Sequence, residues 1–456
     1  MFAFSLACAL LAALPADSIT EVQYVGQLKQ VAGEGVGDLK SFELTCRLLN
    51  TDGQPQMFWS VVETGAGEFA WPERFGLAKF EKNNQHASGQ LPRVLQTHNE
   101  VPSPVDLPPI VLPTDEALRI GMEWEHEKTR FVVESEQSVQ VSDDGKKVAC
   151  WVIEMTSHPA RQTTLMVDKE NLLLLTAEGR LFLGRGDRYQ LQMERKSLRS
   201  VEGPLADQLT NAFDGLQELQ TKLERRVNET TPDLHDNQIQ LTTRLLPDLE
   251  KSVQKTSLQT LVAVIKKDVQ AQTQRDRDLS NLAGKFLGES APKFTLSDLT
   301  GKSVKLAADV DDDQVVVLHF WKYHDEKLTE PYGQVGYLDF LHGKRNKLGV
   351  KIYGVAVDER LGTGADHLAK RGVRKLAEFM NLGYPILLDD GAVLRTYGNP
   401  LKNGGSLPLW VVIDPSGSVA HYKIGYYQIK PNRGLEELDA VVVDLIKKRR
   451  ETAESN

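Results

Sequence analysis

The chain has 456 residues, 41% of them apolar and 26% charged, with a formal net charge of -9. That length exceeds one ordinary core and predicts two or three folded units, and the composition is that of a globular protein rather than a disordered or membrane-embedded one. A negative balance without a concentrated basic stripe repels phosphate backbones, which excludes nucleic acid as a partner.

At the amino terminus, an apolar run from Phe2 to Leu14 gives way to small residues and a polar start at Asp17. The pattern reads as a secretory signal peptide over residues 1–16 and predicts an exported product, periplasmic or otherwise extracytoplasmic, in a bacterial envelope. Beyond this leader no run approaches the ~20 apolar residues of a membrane helix, so no further transmembrane segment is expected.

Residues 17–202 follow a period of two with turn residues between short runs, the mark of an antiparallel β-rich domain. Arg130 to Val141, Lys147 to Met155, Thr163 to Val167, Leu172 to Ala177 and Tyr189 to Glu194 read as successive strands, with Asp144-Gly145 as a hairpin turn. Pro92, Pro102, Pro104, Pro108, Pro109 and Pro113 remove donors and fix φ, which predicts an extended surface loop instead of a strand. Cys46 shares a strand face with Phe42, Leu44 and Leu48, and Cys150 with Val148 and Val152. Both read as buried thiols, and export to an oxidising compartment adds a Cys46–Cys150 disulfide as the alternative.

Over residues 203–285 the period becomes helical. Leu205, Leu209, Phe213, Leu216, Leu219 and Leu223 form one stripe, Thr230 to Asp233 break it, and a second stripe runs from Ile239 to Val269 with Pro247 as a start or kink. The heptad register is not kept for long, so the expectation is a helical hairpin packing on a neighbour rather than a free coiled coil, read as a linker serving as a spacer or docking arm.

In residues 286–450 apolar strands alternate with amphipathic helices, the texture of an α/β layer fold. Val315 to Phe320, Val350 to Val357 and Leu409 to Ile413 are buried-strand runs, and Arg374 to Asn381 and Leu435 to Arg449 carry helical spacing. The fold class is thus multidomain α+β with an α/β carboxy-terminal domain. Ala291-Pro292-Lys293-Phe294, His319-Phe320-Trp321, Tyr384-Pro385-Ile386, Gly405-Ser406-Leu407-Pro408 and Val411 to Val419 follow in an order that resembles the redoxin branch of the thioredoxin superfamily, the TlpA-like and AhpC/TSA-like proteins.

The resemblance implies a thioredoxin-like fold, a cis bond before Pro408, and a groove for an extended peptide bordered by Trp321, Leu407 and Pro408. It also implies a Cys-x-x-Cys pair or a peroxidatic cysteine just after Trp321, where this sequence has Lys322-Tyr323-His324-Asp325-Glu326-Lys327-Leu328. Exchange proceeds by thiolate attack on sulfur, so this position, marked by Trp321, His324, Asp325 and Leu328, reads as a degenerate active site. The expectation is a binding or scaffolding module for a protein or peptide partner, with no cofactor. The alternative is a thiol-disulfide oxidoreductase or peroxiredoxin-like antioxidant enzyme using cysteines outside the usual motif, Cys46 and Cys150 or those of a partner. His324, Asp325 and Glu326 stand side by side and read as a solvated helix start, not as a metal or acid-base site. The acidic run Asp309 to Asp313 lacks the glycine and trailing glutamate of a calcium loop, and no metal site is expected.

Overall fold

The computed structural model of the chain describes residues 18–31, 39–51, 54–65, 74–80, 86–89, 91–98, 101–114, 116–141, 147–158, 161–183, 187–223, 233–306, 314–323, 334–429 and 432–455. The sequence-read leader, the Asp144-Gly145 turn, the acidic run at Asp309 to Asp313, and His324, Asp325, Glu326 and Leu328 lie outside them. The chain divides into two compact units, residues 1–272 and 273–456.

In the first unit the period-two pattern becomes thirteen strands among the described residues: β1 (Ser18–Gln30), β2 (Leu39–Thr51), β3 (Gln54–Gly65), β4 (Phe75–Phe80), β5 (His86–Gly89), β6 (Arg93–His98), β7 (Val101–Asp106), β8 (Glu123–His126), β9 (Thr129–Gln140), β10 (Lys147–His158), β11 (Arg161–Asp168), β12 (Leu174–Leu183) and β13 (Asp187–Glu202). Eleven of them form one antiparallel sheet in the order β5-β4-β3-β2-β1-β13-β12-β11-β10-β9-β8. It is two meanders joined where the first strand pairs with the last, Val22 opposite Leu198. A single core gathers Trp59 of β3, Tyr24 of β1, Leu191 of β13 and Phe131 of β9, so strands from both ends of the sheet converge and the sheet must curl.

Against the other face lie the helices α1 (Pro204–Lys222), α2 (Asp236–Ser252) and the first half of α3 (Gln259–Gly284). Pro204 opens α1 at a position where its missing N–H costs nothing, and the His235 N–H donates to Gln238 Oε1 at 2.9 Å to cap α2. Their apolar stripes share one core with Ile19, Phe58, Phe75 and Val201 of the sheet; the rings of Phe58 and Phe213 stack at 4.4 Å. The helices thus pack on a neighbour, as the hairpin reading expects, and do not stand apart as a spacer or arm. A helix with one apolar stripe buries it on the nearest apolar face, and β3 offers Phe58 on the face opposite Met57 and Trp59. The unit boundary falls inside α3, not at residue 285. Pro247 lies within α2 and does not begin it.

The proline-rich stretch is also corrected. It forms the two-stranded hairpin β6–β7, followed by a segment in which Leu107, Ile110 and Leu112 are buried. Pro102 and Pro104 are two residues apart, so both missing donors fall on one side of the strand. That side is an open edge, the one place in a sheet that tolerates proline.

The second unit carries β14 (Phe294–Asp298), β15 (Ser303–Leu306), β16 (Val315–Trp321), α4 (Val335–Arg345), β17 (Val350–Val357), α5 (Asp366–Met380), β18 (Ile386–Asp389), α6 (Ala392–Thr396), β19 (Leu409–Ile413), β20 (Val419–Ile424) and α7 (Glu436–Ser455). Its mixed sheet runs β15-β14-β18-β17-β16-β19-β20, with β16, β17 and β18 parallel and the others antiparallel. Central β16 is buried along its whole length because helices cover both faces. Leu338 of α4, Leu376 of α5 and Leu438 of α7 pack on one face, while Leu282 of α3 and Leu394 of α6 pack on the other.

Candidate functional site

Two chain segments meet at one end of the second unit's sheet. β16 runs out at Trp321, and β19 enters next to it after a cis Leu407–Pro408 bond, as the redoxin resemblance implies. Phe320 pairs with Leu409 in the antiparallel ladder, so one further step places Pro408 level with Trp321. Proline has no N–H to continue the ladder, and the pairing stops there. Pro408 and Trp321 are buried, whereas Leu407 is half-buried. Of the sequence-predicted site residues, these three are brought together; His324, Asp325 and Leu328 lie outside the described residues.

Behind this end stands an aromatic stack. The His319 ring lies on the Trp410 indole at 3.8 Å, Trp410 meets Tyr427 edge-on at 5.2 Å, and the Tyr427 hydroxyl sits 2.7 Å from His421 Nε2. Trp410 Nε1 donates to the Gly425 carbonyl at 3.1 Å. Gln334, immediately before α4, spans to the same loop: its Nε2 donates to the Tyr427 carbonyl at 2.7 Å, and the Tyr427 N–H donates to its Oε1 at 3.0 Å. Burial pushes the Tyr427 phenol well above its ordinary range and, with Lys423 beside it, holds the His421 imidazole below its own. These are fixing interactions. Sequence reasoning missed Gln334 because a lone glutamine carries no pattern.

The titratable side chains nearby are committed elsewhere. Asp389, at the end of β18, accepts from the Val393 N–H at 3.0 Å and the Leu394 N–H at 2.8 Å, which caps α6. Burial raises its pKa. Lys322 lies 3.7 Å from Glu359. The three cysteines of the chain are at positions 8, 46 and 150, so the second unit contains no sulfur nucleophile. Among the described residues no cluster of three His, Cys, Asp or Glu side chains is close enough to hold a metal, and no helix is long and apolar enough to cross a membrane.

Cys46 and Cys150 are free, buried thiols, which corrects the disulfide alternative. Their strands, β2 and β10, are separated in the sheet by β1, β13, β12 and β11. Cys46 belongs to the main core, and Cys150 packs with Val141 and Leu175 in another cluster. Burial raises both thiol pKa values, which disfavours the thiolate that any exchange or peroxide chemistry requires.

Residues 287–422 match the model of the AhpC/TSA family. Thiol-disulfide oxidoreductase ResA of Geobacillus thermodenitrificans is 32% identical over 134 residues, 29% of this chain and 66% of that protein. The ResA protein of Bacillus anthracis is 28% identical over 140 residues, 30% of this chain and 70% of the other. The match therefore spans just under two thirds of the Geobacillus relative. Among solved structures, a thiol:disulfide interchange protein from Bacteroides sp. is 20% identical, covering 35% of this chain and 90% of its own with a TM-score of 0.26. Peroxidoxin BcpB from Mycobacterium tuberculosis is also 20% identical, covering 36% and 97% with a TM-score of 0.26. Over its carboxy-terminal third the chain is thus similar to AhpC/TSA-family proteins and to ResA.

Proposed function

We propose that the second unit is a redoxin-type module that has given up dithiol exchange and binds an extended protein or peptide segment beside Trp321, Leu407 and Pro408. The observation that carries this reading is the absence of cysteine from residues 273–456, in a unit that keeps the redoxin match and a cis proline level with the end of β16. A carboxylate or imidazole cannot form the mixed disulfide through which exchange proceeds. Backbone pairing at a strand end, by contrast, binds a peptide without any reacting group. The protein acts outside the cytoplasm, in keeping with the leader pattern of residues 1–16.

The test is thiol-disulfide exchange with the full chain beside a Cys46→Ala, Cys150→Ala double variant. Neither protein should reduce a disulfide substrate above the uncatalysed rate. Turnover by the wild type that disappears in the double variant would establish the enzymatic reading instead. Binding is tested on an array of extended peptides probed with the full chain, where Leu407→Glu should lower the signal.

A further inference from the structure

The first unit has a feature that redoxin chemistry does not use. Between the curled sheet and the proline-rich cover lies a cavity of about 350 Å³. Phe80, Phe131, Met155, Leu183 and Leu191 wall it from the sheet, and Val105 and Ile110 close it from the segment above. At roughly 30 Å³ per water this is room for about a dozen molecules, yet apolar walls leave water without partners. A space of this size and lining is characteristic of a ligand site rather than a packing defect.

The lining changes character toward one end. On the inward face of β9 Phe131 is followed outward by Thr129, on β10 Met155 by Ser157, and on β11 Leu165 by Thr163 and then Arg161. Successive inward positions are two residues apart, so polar groups on three neighbouring strands line up at the same edge. Arg161 is exposed there and forms no ion pair among the described residues. Arg180, Asp106 and Glu127 also border the opening. An apolar chamber whose hydrogen-bonding end carries an exposed arginine is complementary to a molecule with one hydrocarbon tail and one anionic head.

We propose that the first unit binds a single-tailed anionic amphiphile of the fatty-acid class, with its alkyl chain in the cavity and its carboxylate at Arg161. The cover is held by a clamp suited to such a site. Glu63 Oε1 accepts the Leu95 N–H at 3.2 Å, and Lys40 donates to the Leu95 carbonyl and, at 3.3 Å, to Glu63 Oε2. One buried ion pair thus secures both backbone groups of a β6 residue and fixes the hairpin by the sheet without filling the space beneath.

The experiment is a titration of the delipidated full chain with 11-(dansylamino)undecanoic acid, followed by competition with unlabelled chains. Saturable binding is expected, and dodecanoate should displace the probe better than octanoate by about fourfold per methylene until the cavity is full. Leu191→Trp and Met155→Trp, each confirmed as folded by circular dichroism, should abolish binding by occupying the cavity from two different walls. Arg161→Gln should weaken dodecanoate about twofold to fivefold and leave dodecanol unchanged. Absence of saturable binding, or binding that survives both tryptophan substitutions, would overturn the site. A carboxylate preference indifferent to Arg161→Gln would overturn the placement of the head group.

Discussion

The imidazole of His319 lies nearly parallel to the indole of Trp410, 3.8 Å between centroids and 20° between planes, with both residues fully buried. The two side chains come from adjacent strands in register, His319 opposite Trp410, and Trp410 continues the contact to Tyr427 and to the Gly425 carbonyl. One indole therefore ties β16 to the loop after β20. Trp410→Ala removes that volume and leaves the carbonyl without its donor, and should lower the stability of the second unit by about 3–5 kcal/mol. Urea denaturation followed by far-ultraviolet circular dichroism measures the change, and a loss below about 1 kcal/mol would mean the stack is not a structural tie.

Gly354, in β17, marks a closely packed point of the second unit's core. A Cβ placed there would lie 2.7 Å from the Tyr384 ring and 3.2 Å from Trp321 Nε1. Neither neighbour has room to withdraw, since both are buried in the same core. Gly354→Ala should cost about 1–3 kcal/mol through overpacking and displace Trp321 from the end of β16. A lowered melting temperature with a shifted tryptophan emission maximum is the expected pair of readings.

How far the sequence spoke depended on whether a segment's partners were nearby in the chain. β9 to β13 and the buried runs of β16, β17 and β19 were legible because alternation or unbroken apolarity survives in a single window. The helical period of α1 to α3 was legible too, but their destination was not: the face that receives them is marked by Phe58, Ile19 and Val201, far away in sequence. The β6–β7 hairpin was misread as a loop because a proline count says nothing about which edge the missing donors face. α5 begins at Asp366, eight residues before the expected Arg374, since Ala369 and Gly372 bury one side of its first turns without an apolar signature. At the site, Trp321, Leu407 and Pro408 came from the family order of motifs, whereas Gln334 and the stack on Trp410 depend on contacts across the sheet and left no local trace.

Thiol reactivity distinguishes buried cysteines from working ones. Cys46 and Cys150 are both inaccessible, and burial raises their pKa values. In a Cys8→Ser background, Ellman's reagent should label neither thiol in the native protein at pH 8 and both after denaturation in guanidinium chloride. Rapid labelling of either in the native state would show an accessible thiolate.

The clamp on Leu95 makes stability depend on pH. Glu63 lies in an apolar setting, and burial raises its carboxyl pKa from an ordinary 4.5 to about 7, although Lys40 and Arg74 oppose the shift. Between these values the folded protein holds a proton that the unfolded chain releases, so this group's contribution is fully present below pH 4.5 and is lost as pH rises through about 7. At about 1.4 kcal/mol per pKa unit, the effect amounts to roughly 3 kcal/mol across the window. Glu63→Gln keeps an acceptor for the Leu95 N–H but cannot ionise. Urea midpoints between pH 4.5 and 8 should fall more steeply for the wild type than for the variant; parallel curves would show that Glu63 does not titrate in this range. Because Gln mimics the protonated carboxyl, the variant should gain on the wild type as pH rises from 4.5 to 8, where the wild type must ionise a buried group.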